Sequence, residues 1–185
     1  MGWAHLHEFM RYLLALLLAL SAFEVRAENT TVELAAKAGL AWAQYKLGGY
    51  YYSGEEGYPV NYVRAAEWYE KSAQNGHAKG QLAIGIAYRR GQGVAKSTST
   101  VVHWMRKAAA QSHGLAMYNL AIVYQETGDP IEAYAWALVG KEHSEESSHR
   151  YLCVDMLQRL DREISRSAAT AARNRARALA SELGL

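Results

Sequence analysis

Apolar and small residues recur along this chain every three or four positions, the spacing that places side chains on one face of a helix. In the first such stretch, four of them fall in one arc of a helical wheel: Ala41, Leu47, Gly48 and Tyr51. Since residues 35–53 contain no proline, this pattern predicts a helix over that range. Gly54 and Gly57 predict its end, because glycine accepts the positive φ of a C-terminal cap. A second helix is predicted over 62–74, which completes a helix–turn–helix unit.

The same arrangement returns at a spacing of about 36–37 residues, which indicates an internal repeat. The first unit carries Ala41, Leu47, Gly48, Tyr51 and Gly54; the second carries Ala78, Ile84, Gly85, Tyr88 and Gly91; the third carries Gly114, Leu120, Ala121, Tyr124 and Thr127. Trp68 recurs as Trp104 and Trp136, and we expect these rings to pack in the core between second helices. The repeats are predicted to span 28–143, in units covering about 36–76, 77–112 and 113–143.

Small residues stand at one matching position inside the first helix of every unit: Gly48, Gly85 and Ala121. Glycine in a helix interior costs about 1 kcal/mol relative to alanine. Close approach of a neighbouring helix is the simplest compensation, so we expect tight helix packing at these positions.

The pattern Ala-x-Ala-Gln-Tyr-x-Leu-Gly-x-x-Tyr-x-x-Gly, followed by Ala-x-x-Trp-Tyr-x-Lys-x-Ala-x-x-Gly, resembles the Sel1-like repeat, a relative of the tetratricopeptide repeat. The resemblance covers residues 36–143, with two close copies and a degenerate third. It implies an all-α fold, an α/α superhelical solenoid of about three helix–turn–helix repeats. It also implies a scaffold for protein contacts and not an enzyme.

The segment 144–185 is predicted to close the array with two helices, over 151–163 and 167–183. It resembles the C-terminal capping helices of secreted bacterial members of the family, and an array needs a polar outer face at its end. Within 159–177, six arginines stand against Asp161 and Glu163. A solvated cap face and a basic contact surface are both compatible with that pattern.

The N-terminal region reads as a targeting segment. Residues 12–23 form an apolar run too short for a bilayer span, which needs about 20 residues. Ala27 follows this run, and together they predict a signal peptide over 1–27 that is cleaved after Ala27. We therefore expect a periplasmic or secreted bacterial protein with no stable membrane span after cleavage. An uncleaved anchor helix is the alternative. Because residues 1–9 lack Lys and Arg, we expect the start to be Met10 rather than Met1.

Catalytic and ligand-binding motifs are missing from the sequence. It has no HExxH, no zinc-type Cys/His spacing and no GxSxG, so we predict no metal, no cofactor and no enzymatic activity. The net charge of +2 is too small to favour nucleic acid. The single cysteine, Cys153, is either a buried thiol or the site of an intermolecular disulfide. Family members linked to β-lactams carry a cysteine pair in each hairpin, and this chain has none in its repeats.

The face of the first helices opposite the packed arc is the predicted protein-binding surface. It combines aromatic, cationic and polar side chains: Trp42, Lys46, Tyr50, Lys79, Arg90, Asn119 and Glu126. Such a mixture is typical of interface hot spots. Alternatively, Trp42 and Tyr50 pack against the N-terminal segment or cover a helix end.

The leading functional hypothesis is a periplasmic protein–protein interaction scaffold, acting as an adaptor, inhibitor or immunity-type binder. The alternative, by family analogy, is a cell-envelope hydrolase or a β-lactam-interacting protein, although the sequence offers no nucleophile or metal site for such activity. A third hypothesis is self-association through Cys153 or the terminal helix.

Overall fold

The computed structural model describes residues 10, 13–17 and 30–185, and the described part is built from helices without strands. In chain order, the helices from residue 30 onward are α1 (residues 30–37), α2 (Ala41–Ser53), α3 (Tyr62–Gln74), α4 (Ala78–Arg90), α5 (Thr98–Ala109), α6 (Gly114–Glu126), α7 (Pro130–His143), α8 (Ser147–Leu160) and α9 (Arg166–Leu183). None of the described helices combines the length and apolar character needed to cross a membrane. Apart from Met10 and the helical residues 13–17, the predicted signal peptide and its cleavage site lie outside the described residues.

Three consecutive hairpins form the array: α2 with α3, α4 with α5, and α6 with α7. Each second helix begins at a polar N-cap whose side chain accepts a backbone N–H three residues on: Asn61, Ser97 and Asp129. The first two hairpins turn at Gly54 and Gly91, which cap α2 and α4 in the left-handed conformation. The hairpins confirm the predicted all-α solenoid.

The predicted helix over 35–53 is wrong in one respect, because the structure has two helices there, separated by a turn at Gly39. This glycine has a φ of +92°, which ends α1 two residues before α2 begins. The predicted second helix over 62–74 matches α3 at both ends.

Close packing at the small positions is confirmed. A Cβ built on Gly48 would lie 2.6 Å from Cδ1 of Tyr69, and one on Gly85 would lie 2.8 Å from Cε of Met105. In both units a large side chain of the second helix therefore occupies the space a longer residue would need. Ala121 holds the same position in the third unit and is fully buried.

Buried amides join two of the first helices, α2 and α4, to the helix that precedes each of them. Gln81 Nε2 donates to the carbonyl of Ala73 at 3.3 Å, and Gln111 Nε2 donates to Gln81 Oε1 at 2.9 Å. One unit earlier, Gln44 Nε2 donates to the carbonyl of Ala36 at 3.2 Å, and Gln44 Oε1 accepts from Asn75 Nδ2 at 2.9 Å. Since Ala36 lies in α1, this helix occupies the place of a second helix from a preceding unit.

The tryptophans of the second helices grow more buried along the chain. Trp136 and Trp104 lie in the core as predicted. Trp68 packs against the cluster of α1 and α2 but is only half-buried, so the prediction is confirmed for it only in part. Its other side faces Lys71, whose Nζ lies 4.3 Å from the ring centroid. Lys107 covers Trp104 in the same way at 4.9 Å.

The C-terminal helices both pack on α7. α8 begins at Ser147, four residues before the predicted start, and α9 begins at Arg166. Arg175 of α9 is paired with Glu132 of α7, and Glu182 of α9 accepts from Arg106 of α5 at 2.8 Å. Arg175, one of the six clustered arginines, therefore helps to hold α9 against α7.

Cys153 is a buried thiol, as the first of the two alternatives predicted. Its Sγ would lie 2.5 Å from a Cβ on Gly140, so α8 approaches α7 closely at this point. Burial raises the pKa of the Cys153 thiol to about 12, which keeps it protonated at neutral pH.

Candidate functional site

The candidate site is the outer surface of α2, α4 and α6, which we call the first-helix face. We define it by the exposed or half-buried side chains at equivalent positions of these helices: Trp42, Tyr45, Lys46, Tyr52, Lys79, Ala83, Ile86, Arg89, Arg90, Leu115, Tyr118, Ile122, Gln125 and Glu126. Polar contacts join the helices near their C-terminal ends. Arg90 Nη1 donates to Tyr52 Oη at 3.1 Å, and Arg89 pairs with Glu126 at 3.3 Å.

Five of the predicted binding residues lie on this face. Trp42 is 50% exposed. Lys79, Arg90 and Glu126 are exposed as well, and Lys46 is half-buried with its Nζ 5.7 Å from the Tyr50 ring centroid. The structure thus places an exposed tryptophan and several charged side chains together, while their role in binding stays a prediction.

The predicted exposure of Tyr50 is wrong, since this side chain is only 6% exposed. Residues 43, 47 and 50 follow the i, i+4, i+7 spacing and form the buried stripe of α2. Tyr50 packs in a cluster with Val32 and Ala36 of α1, and its ring stacks on Tyr58 at 5.4 Å. The alternative expectation, packing against the N-terminal segment, is therefore confirmed for Tyr50.

Asn119 is also misplaced by the prediction, because it is 5% exposed. Its Nδ2 donates to the carbonyl of Leu115, one turn earlier in α6, at 2.7 Å. The amide is thus occupied inside its own helix and offers little surface to a partner.

The sequence interpretation missed the apolar part of the face. Tyr45, Ile86, Tyr118 and Ile122 are half-buried, and each packs against a core cluster while keeping some exposed surface. Tyr45 lies 5.3 Å from the His77 ring and 5.8 Å from the Tyr69 ring. Counting three and seven residues on from Trp42, and from the equivalent residues Lys79 and Leu115, would have found these positions.

A cavity lies where the turns between units meet the start of α8. This cavity of about 540 Å³ is lined by Ala41, Asn75, Gly76, His77, Ala78, Lys79, Gln111, Ser112, His113, Gly114, Glu145, Glu146 and His149. The rings of His113 and His149 stack with centroids 5.9 Å apart, and His149 pairs with Glu146 at 3.3 Å. Burial lowers the pKa of His113, and His149 lowers it further, against an opposing effect of Glu146.

Of the three imidazoles of this cavity, His77 caps a helix start with its side chain, whereas His113 precedes α6 without such a bond. His77 Nδ1 accepts from the backbone N–H of Gly80 at 3.3 Å, which caps α4, and burial lowers the pKa of this histidine too. Within the described residues, no group of three or more His, Cys, Asp or Glu side chains is arranged to hold a metal ion. The first-helix face, with its exposed aromatic and cationic groups, is therefore the stronger candidate for recognition.

Repeat length, hairpin packing and small-residue contacts together define a helical-repeat protein of the tetratricopeptide-like class. The family model for the Sel1 repeat matches residues 43–77, 78–113 and 114–138, slightly more than half of the chain. The protein belongs to the Sel1 repeat family. Sel1 repeats mediate protein–protein interactions, and the family is generally made of non-enzymatic scaffolds.

Similar proteins come from fungi and bacteria. The chain is 38% identical over 87 residues to chitin synthase regulatory factor 3 of Schizosaccharomyces pombe, covering 46% of this chain and 9% of that protein. It is 26% identical over 107 residues to chitin synthase regulatory factor 2, covering 55% and 21%. An uncharacterised protein of Neisseria meningitidis serogroup B is 32% identical over 146 residues, covering 79% and 30%. The chain thus spans less than a third of each relative.

Two solved structures share the fold. A Sel1 repeat protein from Oxalobacter formigenes is 28% identical with a TM-score of 0.55, covering 69% of this chain and 56% of that one. The Escherichia coli protein c5321, described as a protective antigen with an SLR fold, is 20% identical with a TM-score of 0.58, covering 83% and 40%. At that identity, the second comparison supports the architecture alone.

Proposed function

We propose that this protein is a periplasmic protein–protein interaction scaffold that binds its partner through the first-helix face and acts without catalysis. Its role would be that of an adaptor, an inhibitor or an immunity-type binder. The observation that carries the proposal is the exposed Trp42 beside half-buried Tyr45 and cationic Lys79 on adjacent first helices. Aromatic anchors with neighbouring cations are the residues that dominate binding energy at protein interfaces.

The exposed part of Trp42 is large enough to act as an anchor. An aromatic side chain buries about 150–250 Å², so covering the exposed half removes about 100 Å² from water. At about 25 cal/mol per Å², that area contributes roughly 2.5 kcal/mol to binding. This value reaches the range of a hot-spot residue, which is about 2 kcal/mol or more.

The names of the fungal relatives fit a regulatory role. Two of them are described as regulatory factors of an enzyme, chitin synthase. A scaffold that controls another protein by binding it would agree with those descriptions. The matching regions are small parts of the fungal proteins, so we extend to this chain the mode of action, and not the enzyme.

The periplasmic location rests on the apolar run at 12–23 and on Ala27. Fusing residues 1–30 to a reporter that is active only after export tests it directly. We expect export, with the N-terminus of the mature protein at Glu28. Retention of the reporter in the cytoplasm would contradict the location without affecting the binding face.

Two matched variants test the binding face. Trp42→Ala removes the exposed aromatic from the first-helix face, while Tyr151→Ala removes one that is 71% exposed on α8. Affinity purification after cross-linking in the native host should recover a protein partner with the wild-type chain and with Tyr151→Ala, and much less of it with Trp42→Ala. Equal recovery with all three proteins would place the interface elsewhere, and turnover of a chromogenic β-lactam or of peptidoglycan would contradict the non-catalytic role.

A further inference from the structure

Charge is distributed unevenly between the two layers of helices. The first helices α2, α4 and α6 carry Lys46, Lys79, Arg89 and Arg90 against a single carboxylate, Glu126. The second helices are nearly balanced, with Arg64, Lys71, Arg106, Lys107 and Lys141 against Glu67, Glu70, Glu132 and Glu142. The first helices together are therefore basic, although the net charge of the whole chain is small.

Within that layer, the exposed cations stand at the two ends of α4. Lys79 is the second residue of the helix and Arg90 is the last. Eleven residues at about 1.5 Å each separate their Cα atoms by roughly 16 Å along the axis. Between them lie Ala83 and Ile86, which are half-buried. The middle helix thus presents an apolar strip with a positive charge at either end.

Little negative charge compensates these two groups. Glu126 is engaged by Arg89 at 3.3 Å. Arg90 donates to the hydroxyl of Tyr52, a neutral group that leaves the guanidinium charge in place. Lys79 borders the inter-unit cavity, which is also lined by Glu145 and by Glu146, whose carboxylate lies 3.3 Å from His149.

We propose that the partner segment recognised by the first-helix face is acidic and amphipathic, with two carboxylate groups about 16 Å apart on either side of an apolar centre. One carboxylate would meet Lys79 and the other Arg90, while the apolar centre would cover Ile86 and reach Trp42 or Leu115. In an extended segment, at about 3.3 Å per residue, that distance corresponds to acidic residues roughly five positions apart. This inference rests on the proposed use of the first-helix face for binding.

The chemistry favours a protein segment over other anions. The space between the two cations is lined by Ala83 and Ile86, with Tyr118 and Ile122 on the next first helix. A polyphosphate or a nucleic acid strand would leave those apolar groups without a partner. A segment that alternates charged and apolar side chains satisfies both, and its charges would speed association and select the register.

Peptide pools of defined charge test the inference. Three pools share a randomised apolar centre of Leu, Ile, Trp and Ala, about four residues long. They are flanked on both sides by Glu, by Gln or by Lys. Binding to the mature protein is measured by fluorescence polarisation. We expect the Glu pool to bind about tenfold more tightly than the Gln pool, and this advantage to shrink as salt rises from about 0.05 to 0.5 M.

Charge reversal supplies the decisive comparison. The Lys79→Glu/Arg90→Glu variant should lose the preference for the Glu pool and gain one for the Lys pool. The matched control, Lys71→Glu/Lys107→Glu, reverses two cations on the second helices and should keep the wild-type preference. Circular dichroism establishes that both variants are folded, and Lys79→Gln/Arg90→Gln serves as a milder pair if either is not.

Each outcome bears on the inference separately from the proposed function. Equal binding of the Glu and Gln pools, or the same loss in the control variant, would overturn the acidic-segment inference. Failure of all pools, with a partner still captured in a Trp42-dependent way, would overturn it and leave the scaffold role intact. Charge-dependent peptide binding without any cellular partner would support the segment chemistry and count against the scaffold role. Binding of polyphosphate that competes with the Glu pool and tolerates loss of Trp42 would replace the peptide by a simple anion.

Discussion

Neighbouring glycines in α2 should respond to the same substitution with opposite signs. A Cβ on Gly48 would lie 2.6 Å from Cδ1 and 2.7 Å from Cε1 of Tyr69, and 3.2 Å from the carbonyl oxygen of Ala65. A Cβ on Gly49 would meet nothing closer than the Tyr69 hydroxyl, at 3.9 Å. One position is filled from the facing helix, while the other is open.

The two contributions can be weighed for each site. Alanine in a helix interior is favoured over glycine by about 1 kcal/mol. At Gly48 the added methyl group must push the buried Tyr69 ring or the α3 backbone aside, and overpacking of this kind costs about 1–3 kcal/mol. We therefore expect Gly48→Ala to lower the free energy of unfolding by up to about 2 kcal/mol, and Gly49→Ala to raise it by about 0.5–1 kcal/mol.

Urea unfolding followed by circular dichroism measures both values. A double-mutant cycle locates the cause: in a Tyr69→Ala background, which removes the ring, Gly48→Ala should no longer destabilise the protein. Stabilisation by Gly48→Ala in the wild-type background would show that α2 and α3 do not approach as described. Persistence of its cost in the Tyr69→Ala background would assign that cost to the helix backbone instead of the ring.

Other predictions concern the buried polar groups. Since burial lowers the pKa of His113 below its ordinary value of 6.5, the native state holds it neutral and the unfolded state binds the proton more readily. Stability should therefore fall as pH drops below about 6.5, and urea titrations at several pH values should show a smaller fall for His113→Gln. Gln81→Met removes the acceptor of Gln111 Nε2 and the donor to Ala73, so it should cost about 1–3 kcal/mol in the same assay, whereas Gln125→Met on the exposed side of α6 should cost little. The buried, protonated thiol of Cys153 should react with a thiol reagent only after unfolding, and disulfide-linked dimers on a non-reducing gel of native protein would contradict that burial.

The hairpin architecture could be predicted from the sequence because the signals that set it are local. The end of α3 at Gln74 follows from Asn75 and Gly76, and its start follows from the Asn61 cap. No local signal of this kind marked Gly39 as the end of a helix, because Gly48, only nine residues later, lies inside one. What separates the two glycines is tertiary: on the far side of Gly39, Ala36 of α1 packs with Leu47 of α2, while Gly48 meets a ring of α3.

The candidate site was partly predictable for a similar reason. Trp42 and Arg90 follow from helical phase alone and are exposed as expected. Adjacent residues in a helix differ by about 100°, and the phase placed Tyr51 in the packed arc and Tyr50 on the opposite face. Contact with α1 decides in favour of burying Tyr50, and no pattern within α2 could have shown it. Asn119 was assigned by analogy with Lys46, and a short amide that bonds to its own helix does not extend outward as a lysine does.

The placement of α1 affects how the chain can be divided. The first family match begins at residue 43, yet Gln44 bonds to the carbonyl of Ala36, and Leu47 shares a cluster with Val32. The packing of α2 therefore extends beyond the sequence repeat, because α1 lies before it in the place of a second helix. A fragment trimmed at residue 43 would lose α1 and the start of α2, whereas one trimmed at residue 30 would keep both helices.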